Sequence, residues 1–238
     1  DYTNQWLAYA YSFLGNNYLQ QVCSKKSVPF NFADDMYYGD GDYVDWKYGR
    51  YTEKGLGSGN SLYIWQAAYK GIRQASIFLN HIDTSTQFTA TEIADLKGQA
   101  HFLRGYFYWM LIRSFGPVPI LPDEGVDYTK DYDEIAQPRN TYDECADYIS
   151  NELVKAAAQL PDDRGLQEVA RPTRGAALAL RARVLLYAAS PLYNGKAPSE
   201  VLTAMVDKEG RQLLSSTYDE VKWARAAAAA KDVMELGK

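Results

Sequence analysis

Helical periodicity, bounded by local start and stop signals, constrains this chain more than any other feature. Thr89-x-x-Glu92 has the form of a capping box. In that motif the Thr side chain accepts from the N–H three residues on, and the Glu side chain reaches back. Behind it Ile93, Leu96, Ala100, Leu103, Phe107 and Leu111 recur at steps of three and four, which is one face of a 3.6-residue helix. Gly116 and Pro117 follow, the first suited to a left-handed cap and the second unable to continue a helix. The pattern predicts a helix over 90–115, with Leu103 and Phe107 in the core.

The same reasoning predicts five more helices. Leu62, Trp65, Tyr69, Ile72, Ser76, Leu79 and Ile82 form a stripe over about 61–82, with Ser76 alone out of type and Asn60 or Ser61 placed to cap it. Thr141-x-x-Glu144 opens a helix over 142–160 with Tyr142, Cys145, Ile149, Leu153, Ala157 and Leu160 inward. Thr217-x-x-Glu220 opens one over 218–236 with Trp223, Ala227, Ala230, Val233 and Met234 inward. An Ala-rich run over 174–190 carries Leu180, Val184 and Tyr187, and its small residues suggest a central helix that neighbours approach closely. A helix over about 3–19 completes the count of six. No alternating stretch exceeds four or five residues, so the expected class is all-α. Sequential helices with starts at Thr141 and Thr173, 32 residues apart, suggest a tetratricopeptide-like α-solenoid, whose period is about 34 residues.

Two segments break the pattern. Residues 191–217 hold the turn signals Tyr193-Asn194-Gly195 and Lys208-Glu209-Gly210. Residues 22–59 interleave Asp34, Asp35, Tyr37, Tyr38, Asp40, Asp42, Tyr43, Asp45, Trp46, Tyr48, Arg50 and Tyr51 with glycines, and so long a connection is usually functional.

Much chemistry is excluded. A net charge of −5 from 25 basic and 30 acidic side chains does not suit nucleic acid or an anionic membrane as main partner. The apolar run near Tyr106–Ile112 is too short to span a bilayer. His81 and His101 belong to no metal-ligand spacing, and Gly55-Leu-Gly57-Ser-Gly59 lacks the Lys of a nucleotide loop. No cofactor is called for. Cys23 and Cys145 could bridge or stay free. Asp34, Asp35, Asp40, Asp42 and Asp45 do not fit the calcium loop, and as a carboxylate pair for glycoside hydrolysis they are a minor alternative. Carbohydrate recognition fits better. Tyr outnumbers Phe by 20 to 8. Sugars present flat C–H faces for aromatic rings and hydroxyl edges for Asp, Asn or Arg. The candidate glycan-binding residues are Trp46, Tyr48, Tyr43, Asp42, Asp45 and Arg50. Trp46, between Asp45 and Lys47 in a Gly-punctuated loop, is expected to present its ring to solvent.

A longer signature begins at Lys97-Gly98-Gln99-Ala100-His101-Phe102-Leu103-Arg104-Gly105-Tyr106-Phe107-Tyr108 and runs into Phe115-Gly116-Pro117-Val118-Pro119. It resembles the E-A-x-F-L-R-A-Y-x-Y … F-G-x-V-P helix of the SusD/RagB family, surface glycan-binding lipoproteins of Bacteroidetes. Trp65-x-x-x-Tyr69-x-x-Ile72, Gly175-Ala176-Ala177 through Tyr187-Ala188 with Ser190-Pro191-Leu192-Tyr193-Asn194, and Trp223 through Ala230 resemble further family blocks in the same order. Gly105 stands where Ala is common, and His101 where Arg or Lys is. The resemblance implies a tetratricopeptide-like scaffold that caps a SusC-like TonB-dependent transporter in the outer membrane. It also implies non-catalytic capture of an oligosaccharide or polysaccharide, which is handed on uncut, and anchoring only through a lipid on a Cys that this chain does not carry. The family's site draws on the early loop, here 36–60, and the chain corresponds to the family's N-terminal half. A helical-repeat scaffold that binds protein instead of glycan is the alternative.

Overall fold

The computed structural model describes residues 2–14, 64–126 and 129–236. Its helices are α1 (Tyr2–Ser12), α2 (Trp65–His81), α3 (Ala90–Phe115), α4 (Tyr132–Ile135), α5 (Tyr142–Gln159), α6 (Arg174–Ala189), α7 (Ser199–Ala204) and α8 (Val221–Met234). Apart from the short α4 and α7, each helix packs chiefly on its neighbours in the chain: α1 on α2, α2 on α3, α3 on α5, α5 on α6, α6 on α8. Nearest-neighbour stacking of this kind is the construction of a helical repeat. Among the described residues there is no strand, only the isolated antiparallel bridge Val206–Gln212.

Local signals place the element ends. Both capping boxes at Thr89 and Thr141 are formed, with Glu92 and Glu144 reaching back to the cap N–H. Gly116 has φ +72° and ψ −143°, so it takes the positive φ expected of it, outside the left-handed helical well. The third box does not form. Ser215 Oγ bonds Thr217 on both sides, the buried Asn194 accepts the Asp219 N–H, and Asp219 itself accepts the Val221 N–H. Tertiary contacts have therefore taken over this stretch, and the helix begins at Val221. The loop from 191 to 217 is more ordered than its turn signals suggest. It holds a 3-10 turn at Pro191–Tyr193 and the helix α7. A Cβ on Gly195 (φ +76°) would meet the backbone of Thr217 and Tyr218 at 2.3–2.8 Å, so glycine there lets the two segments touch.

The α3 and α5 stripes are buried as predicted, with Leu103, Phe107, Ile149 and Leu153 fully enclosed. Two readings need correction. The central helix is α3 and not α6: Tyr108, Trp109, Met110 and Ile112 are buried as well, so α3 is covered on nearly every side, while α6 leaves Leu186 and Tyr187 exposed. On α8 the buried pair is Ala226 and Ala229, against Leu185 and Ala189 of α6, and Trp223 and Met234 face outward. A run of five alanines carries no phase of its own, so the neighbouring helix sets the rotation.

The Phe115–Pro119 segment is threaded between helices and stitched by tyrosines. Tyr69 donates to the Pro119 carbonyl at 2.8 Å, and the Leu121 N–H donates to the Tyr108 hydroxyl at 2.9 Å. Asn140 and Cys145 bind the Val118 carbonyl from the other side. Part of the tyrosine excess is thus structural. Cys145 is a free thiol, pushed up to about 11 chiefly by burial, and is correspondingly unreactive.

Candidate functional site

Asp42, Tyr43, Asp45, Trp46, Tyr48 and Arg50 all lie outside the described residues, as do Cys23 and the acids at 34, 35 and 40. The described residues include a buried charge cluster and, among their surface clefts, two lined by aromatic side chains.

The cluster is centred on Glu152 of α5, which is fully buried. Arg104 Nε of α3 donates to its Oε2 at 2.7 Å, His101 Nδ1 lies 2.9 Å from the same oxygen, and Lys155 Nζ donates to Oε1 at 2.9 Å. An ionised carboxylate only accepts, so the imidazole Nδ1 is the donor in this contact. The other nitrogens of Arg104 reach Ser76 of α2 at 3.1 Å and Asp123, in the loop after α3, at 3.3 Å. Tyr148 of α5 closes the circuit by donating to Asp123 at 2.6 Å. Ser76, the one polar residue in the α2 stripe, is there to meet Arg104.

Burial alone would raise the Glu152 pKa, but the hydrogen bonds from His101 and Arg104 and the guanidinium charge bring it down to about 2. This is the opposite of what a glycosidase acid needs, since that group must hold its proton near neutrality. With every partner internal, the cluster is a clasp joining α2, α3 and α5. Its folded-state pKa lies below the ordinary 4.5, so its stabilisation is complete above about pH 4.5 and drains away as the pH falls towards 2. The loss should amount to about 3 kcal/mol. Thermal unfolding between pH 7 and pH 2.5 should show this acid limb, and it should flatten in Glu152→Gln.

The first cleft lies between α6 and α8. It has a volume of about 390 Å3 and is lined by Leu186, Tyr187, Leu192, Tyr193 and Trp223, with Arg113 at its edge. Its walls are apolar, and Tyr187 is braced edge-on against Trp109 at 4.8 Å. The second, of about 520 Å3, lies where α1 meets the turn after α2. Tyr2, Trp6, His81, Ser85, Thr86 and Gln87 are among its lining residues. Trp6 Nε1 donates to Gln74 at 3.0 Å, which fixes the indole, and its ring centre lies 6.4 Å from that of His81. Sequence reasoning passed over both clefts. The available signal for the second was the spacing of Tyr2, Trp6 and Tyr9 at i, i+4 and i+7. Among the described residues no group of three or more His, Cys, Asp or Glu could hold a metal ion, and no helix is long and apolar enough to cross a membrane.

The described residues thus form a helical repeat with exposed aromatic clefts and a buried, locked carboxylate. The sequence model of the SusD-like family described as starch-binding and associating with the outer membrane matches residues 3–186. This chain belongs to that family. A SusD-like protein of Bacteroides ovatus is 29% identical over 126 residues, which are 51% of this chain and 21% of the relative. Among solved structures, one titled BT4246 superposes with a TM-score of 0.76 at 26% identity, over 98% of this chain and 39% of its own. A SusD homolog from Bacteroides thetaiotaomicron superposes at 0.68 over 99% of this chain and 40% of its own, and at 22% identity it attests the fold alone. The chain thus spans about two fifths of the solved relatives.

Proposed function

We propose that this chain is the helical-repeat part of an outer-membrane glycan-binding protein that captures an oligosaccharide or polysaccharide without cutting it and passes it to a SusC-like TonB-dependent transporter. The observation that carries this reading is the match of residues 3–186 to a family described as starch-binding. The physics is consistent with it: binding by ring stacking and hydroxyl contacts needs no titrating pair, and the buried Glu152 is held as a carboxylate. Surface display through a lipid anchor belongs to the same proposal.

Calorimetry against a panel of soluble polysaccharides, with a reducing-sugar assay in parallel, tests it. Binding without release of reducing ends is expected; cleavage overturns the non-catalytic reading, and silence in both assays overturns the glycan reading. Within this proposal Trp46, with Tyr43, Tyr48, Asp42, Asp45 and Arg50, forms the principal contact. Trp46→Ala should lower glycan affinity by about tenfold to thirtyfold with little change in melting temperature. A parallel fall in melting temperature would show that Trp46 staples its loop and does not stack on sugar.

A protein-binding scaffold is the second reading, and the apolar α6–α8 cleft favours it. The surface this cleft exposes is almost wholly apolar, so it suits a protein side chain better than a sugar, and it is also the described surface that best suits the transporter.

A further inference from the structure

We infer that the outer face of α1 is an additional stacking platform for an uncharged polysaccharide chain, continuous with the α1–α2 cleft; this rests on the glycan-binding reading above. Helix α1 has two faces of different kind. Leu7 and Ala10 are buried, and Tyr11 is half-buried with its hydroxyl donating to Gln99 at 3.0 Å and Arg171 4.4 Å over its ring. Those contacts hold the helix against its neighbours. A second face, bordering the first at Trp6, presents Tyr2, Trp6 and Tyr9, which are 89%, 37% and 53% exposed. At steps of four and three they fall in one line along the helix. Seven residues at about 1.5 Å rise place the outer two rings about 10 Å apart, a span that an oligosaccharide bridges and a monosaccharide does not.

Two of the three rings are held: Trp6 is fixed by Gln74, and Tyr9 meets Phe13 edge-on at 4.9 Å. Rings kept exposed yet oriented lose little freedom on binding, which is the condition for a stacking site. The hydroxyl-matching groups lie at the Tyr2 end, where the cleft adds Ser85, Thr86, Gln87 and His81. Charge selects the ligand. Tyr2–Ser12 contains no Asp, Glu, Lys or Arg. At the rim, Asp83 is neutralised by Lys97 at 2.8 Å. Helix α1 itself offers an anionic glycan no counter-charge, and a membrane-surface helix would carry the Lys and Arg that α1 lacks.

The test uses the whole chain. Tyr2→Ser/Tyr9→Ser changes two exposed rings and should leave the melting temperature in place. Its affinity for a neutral polysaccharide that wild type binds should fall about tenfold or more, because one of two linked contacts is gone. Titration of wild type with that polysaccharide should shift the Trp6 indole N–H resonance. Unchanged affinity in the double variant, with Trp46→Ala still impaired, overturns this platform and leaves the glycan reading standing. Wild type that binds no glycan overturns both. Sedimentation of wild type, but not of the double variant, with phospholipid vesicles overturns it in favour of a membrane contact.

Discussion

Glu152→Ala should destabilise the protein by about 3–5 kcal/mol, the usual cost of removing one partner from a buried charge pair. Arg104, itself buried, would lose its 2.7 Å contact and keep only Ser76 and the half-exposed Asp123. His101 and Lys155 would lose their acceptor as well. The penalty comes less from the missing attraction than from a buried guanidinium left with only Ser76, Asp123 and the Tyr148 ring around it. It follows that removing both charges should hurt less than removing one. Arg104→Met/Glu152→Met should be more stable than either single variant, since apolar groups of similar length need no partners. Urea unfolding of Glu152→Ala, Arg104→Met, Glu152→Met and the double Met variant checks this. A loss below about 1 kcal/mol for Glu152→Ala would mean that water reaches the site and solvates the arginine.

This clasp also shows how far the sequence could be read. Elements set by neighbours in the chain were legible: the boxes at Thr89 and Thr141 and the stripes of α3 and α5 need only local geometry. Elements set across the fold were not. Thr217 and Glu220 have the spacing of a cap, yet Asn194 holds the Asp219 N–H and delays the helix start. The alanines of α8 could turn either way until Leu185 and Ala189 chose Ala226 and Ala229. Arg104 and Glu152 are 48 residues apart, and no period links them. The hint was Ser76, a polar residue in an apolar stripe, which implies a buried donor opposite. For the site, the sequence supplied the aromatic and acidic stretch from Asp42 to Arg50, which lies outside the described residues. It also held the Tyr2, Trp6, Tyr9 line, but an aromatic line on a helix reads first as core. Only the burial of Leu7 and Ala10 shows which way α1 faces.

Phe107→Ala should cost about 3–5 kcal/mol, and the cost should depend on a glycine on another helix. The Phe107 ring is fully buried and lies where a side chain at Gly71 of α2 would be: a Cβ there would stand 2.3–2.8 Å from three ring atoms. The missing methyl lets α2 approach α3 closely enough for the ring to pack on its backbone. Gly71→Ala gains about 1 kcal/mol of helix propensity, but pushing the ring aside costs about 1–3 kcal/mol, so the single variant should lose stability on balance. In Gly71→Ala/Phe107→Ala the new methyl enters space that the ring has left, and the helix preference is kept without the clash. The double variant should therefore be more stable than the sum of the singles predicts, by about 1–2 kcal/mol. Denaturant unfolding of all four proteins completes the cycle. Additivity to within about 0.5 kcal/mol would show that α2 and α3 separate freely to admit a methyl, and that the ring does not set their spacing.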